Sequence, residues 1–220
     1  TFILYRTNEG KSIMYTEKFK NNKVEIMGKI TKSLTFSHEL CGESFYESEI
    51  TVSRLSGVED KIPVLISDRI IDIGKDYTGK TVFITGEFRS FNAEGGKLIL
   101  NVFVHEIEVF DNFDGGDLNT VALNGYLCKK PTYRKTPLGR EIADVLLAVN
   151  RSYGKSDYIP CICWGRNARF ADKFEVGSHI QIWGRIQSRE YQKKIAEDQY
   201  EKRVAYEVSV SKLEYIAEEN

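Results

Sequence analysis

The chain is poor in the residues that build disulfide-linked or metal-held scaffolds. Its 220 residues include four cysteines and three histidines, and none of them forms a C-x-x-C pair or a cysteine–histidine cluster. Cys41 and Cys128 are isolated, and Cys161 and Cys163 flank a single residue, where a disulfide would be strained. We therefore expect free thiols, a reducing compartment, no zinc site and no cofactor.

Long apolar runs and enzyme motifs are also missing. No run approaches the roughly 20 apolar residues that span a bilayer, and residues 1–11 lack the features of a signal peptide. The sequence has no Ser/His/Asp set, no H-E-x-x-H and no glycine-rich phosphate loop, and His38-Glu39 is a lone pair. We expect a cytoplasmic protein that is not an enzyme and has no membrane partner. Residues 1–13, which precede Met14, are assigned no function.

Basic and acidic residues are nearly equal in number over the whole chain but not within its two halves. Residues 1–118 carry 14 basic and 19 acidic side chains, whereas residues 119–216 carry 17 basic and 11 acidic ones. The hydrophobic fraction of 41% is sufficient for buried cores. The difference in charge between the halves indicates that the second half faces a polyanion and the first half does not.

An internal repeat relates the two halves of the sequence. Four blocks of the first half recur in the second at a shift of 97 or 98 residues. The paired blocks are 24–30 with 121–127, 50–54 with 147–151, 61–66 with 158–163, and 79–86 with 177–184. One register kept over some sixty residues indicates two copies of one fold.

Each repeated block alternates apolar and polar residues, which predicts strands with one buried face. Glycines inside these strands favour the bends that a small closed barrel needs; they are Gly28, Gly125, Gly86 and Gly184. Helical turns are predicted at 168–174, hairpin loops at 92–97 and 137–139, and a longer polar loop at 191–202. The sequence therefore predicts an all-β chain of two tandem OB-fold five-stranded barrels, each with a short helix at most.

The domain boundaries follow from the repeat and from a segment rich in glycine and aspartate at 111–117. We assign an N-terminal extension, a diverged OB-fold domain, a linker, a second OB-fold domain and a short acidic tail. These are residues 1–20, 21–112, 113–118, 119–216 and 217–220.

A series of motifs runs through the second half. They are N-x-V-x-L-x-G at 119–125, P-x-Y-R-x-T-P-x-G at 131–139, L-A-V-N-R at 147–151, D-Y-I-P-C-I-C-W-G-R at 157–166, G-S at 177–178 and G-R-I-Q-S-R-E-Y at 184–191. In these motifs the second half resembles the bacterial-type single-stranded DNA-binding protein (SSB) family, in a tandem OB-fold form. The first half is similar to a diverged copy.

The resemblance implies sequence-independent binding and protection of single-stranded DNA in replication, recombination or repair. Bases would stack on aromatic rings while arginine and lysine contact phosphates. The positions that match the family's stacking residues are Tyr153, Tyr158, Trp164 and Tyr191. The interleaved arginines, which we expect at phosphates, are Arg134, Arg151, Arg166, Arg185 and Arg189. For Trp183, a role in stacking and a role in packing both stay open.

The first half lacks this stacking set, because Tyr158 and Trp164 fall on Lys61 and Ser67 in the repeat register. We expect the first barrel to serve assembly or a partner, with a secondary role in DNA binding. For the segment from Phe88 to Phe91 of this barrel, DNA contact and packing both stay possible roles. The family commonly assembles four OB folds, so the resemblance implies a homodimer of this two-barrel chain.

The sequence also departs from the family pattern. Glu175 and Val176 stand where basic residues are usual, and Lys135 stands where an aromatic is common. The family's Gly/Pro/Gln-rich tail ends in an acidic-aromatic tip that recruits replication and repair proteins. Residues 217–220 are not of that type, so recruitment through such a tip is not expected. Two other functions stay open: a primosome-type OB interaction module with weak DNA binding, and an OB protein for RNA or oligosaccharide.

Overall fold

The computed structural model describes residues 21–93, 96–196 and 199–217, without the side chains of Tyr153, Lys194 and Ala196. The predicted N-terminal extension and residues 218–220 of the predicted tail lie outside the described residues. No helix within the described ranges combines the length and the apolar character needed to cross a membrane.

Five strands of the first repeat close into a barrel. They are β1 Asn22–Leu40, β2 Glu43–Ser53, β3 Glu59–Ser67, β4 Thr81–Asn92 and β5 Leu98–Phe110. β1 pairs antiparallel with both β2 and β4, while β3 lies parallel to β5 and completes the closure. The described residues of this barrel form no helix.

The second repeat forms a barrel with the same connections. Its elements are β6 Leu118–Leu127, β7 Thr132–Lys135, β8 Glu141–Asn150, β9 Ser156–Trp164, α1 Arg166–Ala171, β10 His179–Ala196 and β11 Gln199–Tyr215. β6 pairs with both β8 and β10, and β9 lies parallel to β11. β7 adds to the outer edge of β8. The second barrel also contains one turn of 3₁₀ helix, Ser152–Gly154. Two tandem OB-fold barrels, of which only the second has short helices among the described residues, confirm the predicted fold class.

The alternation seen in the sequence becomes the inward and outward faces of the strands. Val24 and Ile26 in β1, like Val121 and Leu123 in β6, are no more than 2% exposed, and the residues between them face outward. Gly125 faces inward where β6 meets β8, and a Cβ on it would collide with the carbonyl oxygen of Ala148. The predicted glycine positions therefore allow backbones to approach closely as the barrel closes.

One local prediction was wrong, and a second was displaced. Residues 191–202 were predicted to be a loop, but β10 and β11 extend through the described parts of this segment, 191–196 and 199–202, as a ladder that includes Tyr191 with Arg203 and Lys193 with Glu201. A two-stranded ribbon beyond the core needs backbone pairing and no buried face, so it shows little hydrophobic alternation. The helix begins at Arg166, two residues before its predicted start, and ends at Ala171.

The two barrels are joined through their first strands. β1 and β6 pair antiparallel, from Asn22 opposite Leu123 to Met27 opposite Leu118, so the sheet runs continuously from one barrel into the other. The two strands are repeat equivalents. Their pairing therefore relates the barrels by an approximate twofold axis.

A buried ion pair of the second barrel holds the first barrel's β4, in an arrangement we call the Asp157 clamp. The fully buried Asp157 carboxylate accepts hydrogen bonds from Arg151 Nε and Nη2 at 2.6 and 2.5 Å and from the Ser90 backbone N–H at 2.5 Å. Arg151 Nη2 also donates to the Ser90 carbonyl at 2.8 Å, and the Ser90 hydroxyl accepts from the Tyr158 N–H at 2.7 Å.

The same arrangement recurs in the opposite direction as the Asp60 clamp. Asp60 of the first barrel is 1% exposed and accepts from Arg54 Nε at 2.7 Å and from the Ser188 backbone N–H of the second barrel at 2.9 Å. The Ser188 hydroxyl accepts from the Lys61 N–H at 3.0 Å. Each barrel thus supplies a buried carboxylate that binds the other barrel's hairpin.

Replacing Asp157 by alanine should destabilise the protein by about 3–5 kcal/mol, because it leaves the Arg151 cation without its buried partner and the Ser90 N–H without an acceptor. Asp144 provides the matched control, since it forms a similar two-bond pair with Arg134 on the exposed surface. Asp144→Ala should cost about 0–1 kcal/mol. Urea unfolding of both variants measures the difference, and equal costs would contradict the assigned role of the clamp.

Candidate nucleic-acid interface

The outer face of β8 and β9 carries a stripe of apolar side chains bounded by two aromatic rings. Alternate residues of a strand share one face, so Tyr158, Pro160, Ile162 and Trp164 follow each other along β9. Tyr158 and Trp164 are 46% and 37% exposed. The two residues are six positions apart along the strand, a distance of about 20 Å. This stripe offers two separate π-faces on a rigid sheet.

Arg134 lies beside one end of this stripe. On β7 it is opposite Ile142, which in turn is opposite Trp164. Its guanidinium donates to Asp144 at 2.9 and 3.3 Å, and its side chain is 52% exposed. Two of its five N–H donors are used in this way, which leaves three for a ligand.

Tyr191 and Arg189 lie on the β10–β11 ribbon. The Arg189 guanidinium carbon is 5.8 Å from the Tyr191 ring centroid, and Arg189 Nε is 3.7 Å from a Glu207 carboxylate oxygen. Arg203 is opposite Tyr191, and its hydrogen bond to Glu201 raises the pKa of its guanidinium. The ribbon therefore combines an exposed ring, 37% exposed at Tyr191, with cations on both strands.

The other predicted site residues are dispersed. Arg166 is exposed at the start of α1 and makes no hydrogen bond or ion pair with any described residue. Arg185 on β10 is opposite Ser209 of β11, which in turn is opposite Ile162 of β9, so Arg185 lies on the same outward face two strands from the stripe. Its Nε is buried without a hydrogen-bond partner among the described residues. Arg151 is engaged by Asp157 and Ser90, so its predicted phosphate role conflicts with its bonds in the clamp. The side chain of Tyr153 lies outside the described part of the structure.

The corresponding face of the first barrel differs in its chemistry. Its β2 and β3 carry Lys61 and Ser67 in place of the two exposed aromatics, and Glu47 and Glu49 lie on the same outward face. Glu49 is 8% exposed and forms a 2.7 Å ion pair with Lys32. These carboxylates would repel phosphate groups. The sequence prediction that this barrel lacks a stacking face agrees with this geometry.

The second barrel's ribbon reaches this acidic face. The pKa of Tyr206 on β11 is raised mainly by burial, and the negative charge of Glu49 raises it further. Tyr206 also contributes to the raised pKa of Lys32, whose largest cause is its hydrogen bond to Glu49. Tyr206 of β11 therefore lies near enough to Glu49 of β2 for their charges to interact.

The segment from Phe88 to Phe91, left open by the sequence, divides between packing and surface. Phe88 is fully buried, whereas Phe91 is 45% exposed. The Arg89 guanidinium stacks 3.8 Å above the Phe103 ring and binds Glu87 at 2.9 Å. Glu87 also contacts His105, and these bonds lower its pKa to about 2, with the His105 hydrogen bond as the largest cause.

Together, the fold and this face define a class of protein: tandem OB-fold barrels with an exposed aromatic stripe and nearby arginines. Comparison with known proteins identifies the family. Residues 118–216 match the model of the Single-strand binding protein family. Single-stranded DNA-binding protein B of Bacillus subtilis is 38% identical over 81 residues, which are 34% of this chain and 72% of that protein. The chain belongs to the single-strand binding protein family.

Other relatives agree in sequence or in fold. Single-stranded DNA-binding protein 2 of Listeria innocua is 39% identical over 82 residues, 34% of this chain and 52% of that protein. Several of the curated relatives are matched over about half of their length. The wild-type single-stranded DNA binding protein of Thermus aquaticus superposes with a TM-score of 0.73 over 90% of this chain and 94% of that chain, at 20% identity. That structural likeness shows a shared two-barrel fold.

The Glu87 cluster predicts a pH dependence of stability. Because the folded-state pKa of Glu87 is lowered to about 2, its stabilising contribution is complete above its usual pKa near 4.5 and is lost as the pH falls towards 2. The free energy of unfolding should therefore differ between wild type and Glu87→Gln at pH 6, and the difference should shrink steadily below pH 4.5.

The control is Glu108→Gln on β5, because Glu108 makes no ion pair or hydrogen bond with a described side chain. Its difference from wild type should stay nearly constant over the same pH range. Chemical unfolding at pH 6, 4 and 2.5 measures both. A Glu87→Gln difference that does not change with pH would contradict the prediction.

Proposed function

We propose that this protein binds single-stranded DNA without sequence preference and protects it during replication, recombination or repair. It does so in the cytoplasm and without bond-making chemistry. The observation that carries the proposal is the exposed pair Tyr158 and Trp164 on one rigid strand, with arginines nearby. Aromatic faces accept any base, and each stacked base contributes about 1–3 kcal/mol. The names of its relatives support the same ligand.

The strand would run along the β8–β9 face and continue to the ribbon. Tyr158, Trp164 and Tyr191 stack bases in this proposal, and Tyr153 retains its predicted stacking role. Arg134, Arg166 and Arg189 contact phosphates, because each is exposed and has donors available. Arg151 is omitted because the clamp uses its donors. Arg185 keeps its predicted phosphate role, because it lies on the same outward face as Ile162 and its Nε has no hydrogen-bond partner among the described residues.

We also propose that two chains associate to bring four barrels together. The outer face of the joined sheet carries a band of partly exposed apolar side chains across its centre. Cross-strand pairs place Met27 beside both Phe83 and Leu118, and Ala122 beside Trp183. An approximate twofold axis makes such a band self-complementary. Sedimentation equilibrium should give twice the mass of one chain, and a single-chain mass at micromolar concentration would contradict the dimer.

Fluorescence titration with oligo-dT at several salt concentrations tests DNA binding. Tyr158→Ala and Trp164→Ala should each weaken binding about 5- to 150-fold, which corresponds to the loss of one stacked base. Tyr215→Ala is the matched control, since Tyr215 is a 53% exposed tyrosine at the end of β11 that packs on Phe174. It is opposite the buried Ile180, so it does not share the face of the stripe. The Tyr215→Ala variant should bind as wild type does. Trp164→Phe should abolish most of the quenching of tryptophan fluorescence that bound DNA causes. Trp183→Phe should retain this quenching.

The outcomes separate the competing functions. Weak binding that is insensitive to Tyr158→Ala and Trp164→Ala would favour the primosome-type interaction module instead. Competition by RNA as strong as that by DNA of equal length would favour an RNA-binding protein. Salt dependence with a slope near −0.7 per neutralised phosphate is expected for a single strand.

A further inference from the structure

The two clamps place corresponding residues of the two barrels in the same environment. In the Asp157 clamp, the Ser90 hydroxyl accepts the Tyr158 N–H, and in the Asp60 clamp the Ser188 hydroxyl accepts the Lys61 N–H. Tyr158 and Lys61 occupy the same repeat position. Each is therefore presented at the seam where its strand meets the other barrel's hairpin. One is an exposed ring, and the other is an exposed cation.

The Lys61 ammonium is not neutralised by any carboxylate in the described part of the chain. Lys61 lies on the outward face of β3 opposite Thr51, and its side chain makes no hydrogen bond or ion pair with any described residue. Several other described lysines of the first barrel are bound by carboxylates, as in Lys32–Glu49, Lys75–Asp72 and Lys80–Asp111, whereas Lys29 and Lys97 have no ion pair with a described residue. Lys61 thus differs from these paired surface lysines.

The seam also brings Lys61 close to the DNA residues proposed on the ribbon. Ser188, which accepts the Lys61 N–H, immediately precedes Arg189. Tyr191 follows on the same face of β10, since alternate residues share a face. Arg189 has one distant carboxylate contact, at 3.7 Å, and remains 57% exposed. The Lys61 backbone therefore contacts the strand that carries Arg189 and Tyr191, one residue before Arg189.

We propose that Lys61 binds a backbone phosphate of the DNA strand whose bases stack on the second barrel, so that the first barrel takes part in binding through a cation. The inference rests on the proposed single-stranded DNA binding. A lysine serves here as a point charge that needs no fixed phosphate geometry. The acidic β2–β3 face confines this contribution to the seam, because Glu47 and Glu49 lie further along the same surface.

The test compares salt dependence of oligo-dT binding in the full chain. Lys61→Ala should make the slope of log K against log salt shallower by about 0.7, the value of one phosphate contact on a single strand. Affinity at low salt should fall about three- to tenfold. Lys61→Arg should restore both values, since it keeps the positive charge. Lys75→Ala, a matched change at an ion-paired lysine of the same barrel, should leave slope and affinity unchanged.

A second measurement detects the contact directly. Bound oligo-dT should protect Lys61, but not Lys75, from an amine-reactive reagent, as read by mass spectrometry. If the wild type binds while Lys61→Ala keeps the wild-type slope and Lys61 stays unprotected, this inference is overturned and the proposed function stands. If the wild type itself does not bind DNA, both are overturned.

Discussion

The antiparallel ladder between β1 and β6 is the interaction on which the arrangement of this protein depends. The first part of β1, up to Met27, has β4 on one side and β6 on the other, and later residues of β1 pair with β2. Without β6, that first part would be an open edge of the sheet, and β6 would likewise be open. Joining both edges within one chain satisfies their backbone groups without a second molecule, because the linker keeps the local concentration of each edge high.

The clamps define how closely the two barrels fit around this ladder. A buried ion pair contributes less to stability than its geometry suggests, because desolvation offsets the Coulomb attraction. It is costly, however, to leave either partner alone. Asp60 and Asp157 each accept a backbone N–H from the opposite barrel, so a shifted register would bury a carboxylate without its donors. We infer that the clamps select one register for the ladder.

Within this nearly symmetric frame, the side chains divide the function between the barrels. One barrel presents an apolar stripe ending in two rings, whereas the equivalent face of the other presents Glu47, Glu49 and Lys61. The backbone positions are the same, so the difference lies in side-chain chemistry alone. In the proposed binding mode, the strand continues from the stripe to the ribbon and meets Lys61 of the first barrel beside Ser188. This asymmetry would give each chain one stacking surface and one flanking electrostatic contact.

The sequence by itself determined the two-barrel fold, since strand alternation is local and the repeat shows that the pattern occurs twice. It also indicated Tyr158, Trp164 and Tyr191, because their positions match the stacking aromatics of the family that the second half resembles. The bonds of Arg151 in the clamp, and the position of Lys61 from which its role is proposed, were decided only by the tertiary structure. Arg151 binds Asp157 six residues away and Ser90 in the other barrel, and Lys61 gains its position through Ser188. Such contacts join residues distant in sequence, and no local pattern of residue types encodes which charges become neutralised.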